Sequence, residues 1–196
     1  MRWFSMVHFK QTSFYFIRHG QTDWNAEKRM QGHKDIPLNV TGAEQASYAA
    51  NTVLQGLSIT RICHSPLLRA KQTAEIIGAS LNIPLLEIEN LKEVGFGIME
   101  GKRKTENPNI FLDWLKGRGP EGAETPLELK NRVKVAVQQS LDDAEDNNTL
   151  VVSHGVCFHV LQDIIGCRDP IIKLDSCQVV HIKKQGGSSW IIKKLA

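Results

Sequence analysis

Two apolar runs of this chain end in the same way. Phe14-Tyr15-Phe16-Ile17 runs into Arg18-His19-Gly20, and Thr149-Leu150-Val151-Val152-Ser153 runs into His154-Gly155. Short runs rich in aromatic and β-branched residues, bounded by polar ones, read as buried strands. Each run therefore delivers an imidazole to the C-terminal end of a strand, the edge at which open α/β sheets bind ligands. Gly20, directly after the first imidazole, allows a sharp turn or a close approach to a ligand.

The segments between these runs alternate in period. Gln21 to Val40 is polar and holds Gly32, Pro37 and Asn39, so it reads as a long functional loop over the strand end. Thr41 and Glu44 have capping-box spacing ahead of a helix over Gly42 to Leu54, which Gly56 closes. Ile59 to His64 reads as a second strand. Ser65-Pro66 then reads as a cap and first turn for a helix over Leu67 to Ala79, and Ile83 to Ile88 as a third strand. Leu91 to Arg118 is broken by glycines and prolines, with room for a short helix over Asn109 to Lys116. The longest helix is expected over Thr125 to Ala144, ended by Asp146-Asn147-Asn148. After the strand at Thr149, Val156 to Ile165 reads as a helix stopped by Gly166. Cys177 to Lys183 and Ser188 to Lys194 read as a hairpin around Gln185-Gly186-Gly187.

This alternation predicts an α/β fold. The expected form is a three-layer α/β/α sandwich whose mostly parallel central sheet has an antiparallel C-terminal edge. At 196 residues it is read as one domain over 1–196, with 1–12 an N-terminal extension and 91–125 an irregular segment covering the active site. A chain of this length buries roughly 70% of its unfolded surface, so it needs neither a metal nor a disulfide to fold. No apolar run nears the ~20 residues of a membrane span. The N-terminal residues lack a cleavage site of signal-peptide type, which points to the cytoplasm. Cys63, Cys157, Cys167 and Cys177 form no C-x-x-C pair, and Cys157 and His159 lie two apart on a helix, where side chains do not face each other. No metal site and no cofactor are expected. The net charge of +3 suits a small anionic partner and is too weak for nucleic acid; Lys102-Arg103-Lys104 reads as a solvated loop. No membrane partner is expected, and the chain is read as a monomer or homodimer.

Arg18 and His19 end the first strand, Arg69 sits in the helix after the second, and His154 follows the strand at Thr149. If these strands are neighbours, two guanidiniums and two imidazoles converge. Arginine forks and helix N-termini together suit a phosphate or a similar oxyanion.

An ordered set of motifs extends this pattern. It comprises Arg18-His19-Gly20-Gln21-Thr22-x-x-Asn25, Gln31-Gly32-x-x-Asp35-x-Pro37-Leu38, Thr41-Gly42 and Ser65-x-x-Leu68-Arg69-Ala70-x-Gln72-Thr73-Ala74. Leu91-x-Glu93, Glu100-Gly101, Glu121-Gly122-Ala123-Glu124 and Ser153-His154-Gly155 follow in order. By these residues the chain resembles the histidine phosphatase superfamily, also called phosphoglycerate mutase-like. The resemblance implies that His19 is a nucleophile forming a phosphohistidine, and that Arg18, Arg69 and His154 hold the phosphate. Asn25, Gln31, Gly32 and Gly155 join them in binding substrate. Glu93 is the group that protonates the leaving oxygen and then activates water, with Glu87, Glu89 and Glu100 as nearby alternatives. His33, His64, His159 and His181 read as surface or core histidines, and His8 precedes the fold.

The mutases of that family carry Gly-Trp where this chain has Gly32-His33, and they are longer, with insertions that lid the pocket. Hydrolysis of a small phosphorylated metabolite is therefore the first expectation, mutase-type phosphoryl transfer the second, and a non-catalytic phosphate-binding domain the third. Met99 and Gly122-Ala123-Glu124-Thr125 depart from the usual residues at the substrate opening, which bears on the substrate rather than on the mechanism.

Overall fold

The computed structural model describes residues 9, 12–142, 148–167, 171–186 and 189–195. Six strands form one sheet: β1 (Ser13–Arg18), β2 (Arg61–His64), β3 (Leu85–Glu87), β4 (Thr149–Ser153), β5 (Val179–Lys184) and β6 (Trp190–Lys194). Their order across the sheet is β3-β2-β4-β1-β5-β6. The first four are parallel, β5 runs antiparallel to β1, and β6 closes the hairpin with β5. Parallel neighbours need crossovers, and here these are helical. The helices are α1 (Asp23–Ala26), α2 (Val40–Tyr48), α3 (Leu68–Leu81), α4 (Ile110–Leu115), α5 (Pro126–Asp142) and α6 (Gly155–Ile164).

The period of two along each strand creates two cores. Phe14 and Phe16 of β1, Val151 of β4 and Val180 and Ile182 of β5 face one side, against Leu129, Val133 and Val137 of α5 and Phe158 and Leu161 of α6. Ile17, Ile62, Leu150, Val152 and Val179 face the other, against Ala70, Ala74 and Ile77 of α3 and against Ala49, Ala50 and Leu54. This is the expected three-layer α/β/α sandwich. Each large apolar side chain buried in these layers contributes about 1.5–3 kcal/mol. Phe9, in the N-terminal extension, is itself part of the first core and meets Phe14 and Trp190 edge-to-face.

Local boundaries differ from the sequence reading, and each difference has a tertiary cause. The loop over Gln21 to Val40 contains α1, capped by a box between Thr22 and Asn25. Helix α2 starts at Val40, so Thr41 is not its cap. Asn39 takes that place by accepting from the Gly42 amide at 2.9 Å, while its Nδ2 donates to Gln21 and Asp23. A π-turn over Ala49–Val53 continues α2. Helix α3 starts at Leu68, leaving Ser65 and Pro66 outside it. Its first amide is satisfied from 33 residues away, by Asp35 Oδ1 at 2.5 Å from the Leu68 nitrogen. Helix α5 is capped by Thr125 and Glu128, each donating an amide to the other's side chain. Asp146, Asn147 and Gly187 of the expected turns lie outside the described residues, as does His8; Ser189 accepts from the Gln185 amide across the final hairpin.

Candidate active site

The parallel register pairs Arg18 with Ser153, so the residues that follow, His19 and His154, leave the sheet side by side. The His19 amide donates to the Ser153 carbonyl at 3.0 Å, and the two rings lie 5.2 Å apart between centroids. Nδ1 of His19 is 2.7 Å from the Gly20 carbonyl. A carbonyl only accepts, so Nδ1 carries the proton and Nε2 keeps the lone pair. Burial, then the charges of Arg69 and Arg18, hold the His19 ring well below the usual histidine range. His19 is therefore neutral at pH 7.

The tautomer of His154 follows from Ser65. The Ser65 hydroxyl accepts from the Leu67 amide, and among the described residues its own proton meets no acceptor other than Nε2 of His154 at 2.8 Å, so it donates there. Nδ1–H of His154 then has no hydrogen-bond partner within the protein and is buried. Burial, followed by Arg69, His19 and Arg18, also pushes this ring well below its ordinary value.

Arg69 comes from the first turn of α3 and is 1% exposed. Its Nη1 donates to the Lys34 carbonyl and its Nη2 to that of Gly32, at 3.0 and 2.9 Å, so the guanidinium fastens the loop over the strand end. Gly32 has φ +56°, and a Cβ there would lie 2.0 Å from Glu100 Oε1, so a side chain at this position would strain the backbone and displace the Glu100 carboxylate. Burial lowers Arg69 to about 10, against the attraction of Glu93, which leaves it charged at neutral pH. Arg18 donates through Nη1 to the Leu174 carbonyl at 3.1 Å. The Nε–H groups of both arginines are buried without a partner in the protein.

Glu93 closes the site from the irregular segment. Its carboxylate accepts from the Val94 amide at 3.1 Å and from Val156 and Cys157, in the first turn of α6, at 3.2 and 3.3 Å. The open amides of a helix N-terminus thus orient it. Its main chain is braced by Arg132 of α5. Arg132 grips Glu124 with two nitrogens at 2.8 and 2.7 Å and donates to the carbonyls of Asn90, Lys92 and Glu93. His33, exposed in its loop, donates from Nε2 to the same Glu93 carbonyl at 2.8 Å.

A cleft of about 320 Å³ is lined by Arg18, His19, Arg69 and Glu93; His154, fully buried next to His19, is not among its lining residues. Asn25, Gln31, Gly32 and Gly155 line it as well. Asn25 spends its carbonyl oxygen on the Thr22 box, whereas Gln31 Oε1 is buried without a partner. Of the site residues expected from the sequence, all but His154 line this one cleft, and His154 adjoins it through the His19 ring. Gly20 is the exception in kind: its close approach is to the backbone of Gly42, not to a ligand, since a Cβ on Gly20 would sit 2.4 Å from the Gly42 oxygen.

Two readings are extended by the structure. Lys102, Arg103 and Lys104 are exposed, as expected of a solvated loop, but the loop is also held in place. Backbone bonds from Met30 to Lys102, Gly101 to Met30 and Lys104 to Lys28 zip it to the first loop, so Lys104 lines this cleft and a neighbouring one of about 470 Å³. His159 also lines the cleft. Sequence reasoning missed Ser65 and Arg132 as well. Ser65 stood inside a quoted motif, and Arg132 lies between Leu129 and Val133, an arginine beside a buried stripe.

Among the described residues, no three His, Cys, Asp or Glu side chains are placed to hold a metal ion, and no helix is long and apolar enough to cross a membrane. The family model for the histidine phosphatase superfamily (branch 1) matches residues 14–195. The chain belongs to the histidine phosphatase superfamily. A relative from Escherichia coli named "Probable phosphoglycerate mutase GpmB" is 32% identical over 195 residues, covering 91% of this chain and 90% of its own. The structure of Bacillus stearothermophilus YhfR superposes with a TM-score of 0.81 at 29% identity, covering 93% of this chain and 95% of that one. Phosphoserine phosphatase from Entamoeba histolytica, solved with 3-phosphoglyceric acid, shares the fold at a TM-score of 0.78 and 23% identity, covering 94% and 96% of the two chains. Within the superfamily fold, the site of this chain offers a neutral imidazole nitrogen, two buried cations and a carboxylate facing one cleft.

Proposed function

We propose that the protein is a phosphomonoester hydrolase that works through a phosphohistidine on His19. One observation carries this reading: a buried, neutral His19 with Nε2 unprotonated stands beside two arginines whose Nε–H groups, like Nδ1–H of His154, have no partner in the protein. A buried donor left unpaired costs about 1–3 kcal/mol, and an oxyanion bound among these groups removes that cost.

In the first step Nε2 of His19 bonds to phosphorus, the P–O bond to the alcohol breaks, and Glu93 delivers a proton to the departing oxygen. Arg18, Arg69 and His154 stabilise the charge on the equatorial oxygens. In the second step water bonds to phosphorus, Glu93 takes its proton, the bond to His19 breaks and inorganic phosphate leaves. The cations supply the charge that a metal ion supplies elsewhere, so the reaction is expected to run without one. Phosphoryl transfer to a second hydroxyl is the second reading, favoured by the name of the 32% identical relative. Hydrolysis stays the first reading because the resemblance implies longer mutases with lid insertions, and a pocket with less cover admits water.

The test is steady-state phosphate release from a panel of phosphomonoesters in EDTA, with His19→Ala as control. Release by the wild type and none by the variant supports the hydrolase. Acceptor-dependent exchange between phosphoglycerates without net release favours the mutase. Phosphate binding with neither activity leaves a non-catalytic domain.

A further inference from the structure

Ile172, Lys173 and Leu174 border the cleft from a stretch that belongs to no helix or strand. Such a stretch keeps a fixed shape when its backbone groups find partners elsewhere. Among the described residues, 171–174 bonds through its backbone at two points. One is the Leu174 carbonyl, which accepts from Arg18 Nη1 at 3.1 Å. The other is Ile172, whose two backbone groups are both taken by the side chain of Gln162. The Ile172 amide donates to Gln162 Oε1 at 2.8 Å, and the Ile172 carbonyl accepts from Nε2 at 3.0 Å.

Gln162 lies in α6 and is 1% exposed. A buried carboxamide costs free energy unless its hydrogen bonds are made. Here both are made to one residue, in the exchange of N–H and C=O that pairs two strands. A carboxamide carries the donor and the acceptor this exchange needs, and reversing it would set N–H against N–H. Its orientation is therefore fixed.

The consequence falls on Arg18. Two residues of chain span at most about 7 Å, so anchoring Ile172 confines the Leu174 carbonyl. At the far end of the stretch the Cys177 amide donates to the Arg18 carbonyl at 3.0 Å. With Nη1 spent on Leu174, the guanidinium keeps its Nε–Nη2 edge, and Nε–H is buried with no partner among the described residues. An edge of this kind is the fork that takes two oxygens of one phosphate. The Leu174 carbonyl thus selects the edge of Arg18 that is left for an anion.

We propose that Gln162 is a positioning residue, which through Ile172 and the Leu174 carbonyl holds the Arg18 fork in the orientation that binds phosphate. It touches no reacting atom. This role rests on the phosphomonoesterase reading in giving Arg18 a phosphate to hold, and adds what aims the arginine.

Calorimetric titration of the protein with inorganic phosphate tests this without turnover. Gln162→Met keeps the length of the side chain and removes both bonds. Phosphate affinity is expected to fall roughly tenfold in Gln162→Met, and by no more than about twofold when the same change is made in Arg18→Lys, which keeps the charge and lacks the fork. Gln162→Glu is a second variant. It keeps the bond from the Ile172 amide, sets an oxygen against the Ile172 carbonyl, and is expected to show the same dependence on Arg18. Val160→Ala, a core truncation on the same helix, is expected to lower the thermal midpoint and leave the affinity as in the wild type.

An unchanged affinity in both Gln162 variants, equal losses with and without Arg18, or an equal loss in Val160→Ala overturns the proposal. Phosphate release from p-nitrophenyl phosphate separates it from the hydrolase reading. If the wild type releases none while the affinities follow the expected pattern, the hydrolase reading fails and the positioning role stands. If the wild type hydrolyses the ester and Gln162→Met equals it in kcat, KM and phosphate affinity, the hydrolase stands and the positioning role fails.

Discussion

The Ser65 hydroxyl lies 2.8 Å from Nε2 of His154 and, by donating there, sets Nδ1 of that ring as the proton carrier. The two residues are 89 positions apart, and they meet because β2 and β4 are parallel neighbours whose C-terminal ends are level. Removing the hydroxyl in Ser65→Ala frees the other tautomer and leaves Nε2 buried without a donor. A loss of about 1–3 kcal/mol is expected in transition-state stabilisation, seen as a roughly tenfold to hundredfold lower kcat/KM. Nitrogen NMR of the His154 ring should show the tautomers mixing. A single unchanged tautomer with full activity would refute the assignment.

Glu93 is expected to act as both proton donor and base. Glu93→Gln keeps the shape and removes the titrating group, so turnover should slow by about 10²–10⁴-fold. Phosphoenzyme should still form from an ester whose leaving group needs no proton, such as p-nitrophenyl phosphate. Rapid quench of labelled protein measures this, and wild-type turnover of a poor leaving group by the variant would remove Glu93 from the mechanism.

Arg132 is a positioning residue, since it holds the Glu93 main chain and touches no reacting atom. Its pair with Glu124 is largely buried, the side chains being 18% and 16% exposed. Arg132→Met should destabilise the fold by about 3 kcal/mol, because it strands a carboxylate and three carbonyls. Glu124→Gln is the milder probe. It should lower kcat more than it changes KM. A loss of stability with kcat unmoved would limit Arg132 to a structural part.

Both site histidines have ionisation constants well below 6.5 in the folded chain, chiefly through burial, with Arg69 adding to it. The unfolded chain therefore binds more protons below pH 6.5, and stability should fall as pH drops through that value. The slope is about 1.4 kcal/mol per pH unit for each histidine. Urea midpoints between pH 7 and pH 5 check this, and His19→Asn should give a shallower slope. The acid limb of kcat/KM for free enzyme should likewise lie below 6.5, because the nucleophile stays unprotonated there. A limb at 6.5 would show an ordinary, hydrated imidazole.

Gly20 and Gly42 face each other where α2 crosses the end of β1. A Cβ on Gly42 would stand 2.0 Å from the Gln21 carbonyl oxygen, a backbone atom unable to swing aside. Gly42→Ala should cost about 1–3 kcal/mol, and activity should drop with it because Gln21 adjoins the nucleophile loop. Thermal unfolding and phosphate release of the same preparation test both parts.

Much of this architecture is legible in the linear chain. The continuous apolar runs Phe14-Tyr15-Phe16-Ile17 and Leu150-Val151-Val152 mark buried strands, and helical spacing between them implies parallel crossovers. Arg18, His19, Arg69 and His154 are legible because each stands at a strand end or in the first turn after one. Such positions depend only on local structure and on the sheet's being parallel. Lys104, His159 and Arg132 are not marked in that way. Lys104 reaches the cleft because two irregular loops pair, and no periodicity encodes that pairing.

The same division applies to the helix starts. Thr41 and Ser65 have the residue type and spacing of caps, and local propensity favours them by about 1 kcal/mol. Asn39 and Asp35 displace them because each also satisfies groups distant in sequence, Gln21 for one and the Leu68 amide for the other. By itself the sequence determined which strands form, that the sheet is layered by helices, and which residues gather at its edge, since these follow from short-range pattern and chain topology. Only the tertiary structure decided the tautomers of His19 and His154 and the brace on Glu93. Each of these depends on distances of a few ångströms between residues far apart in the chain, set by packing against shared neighbours.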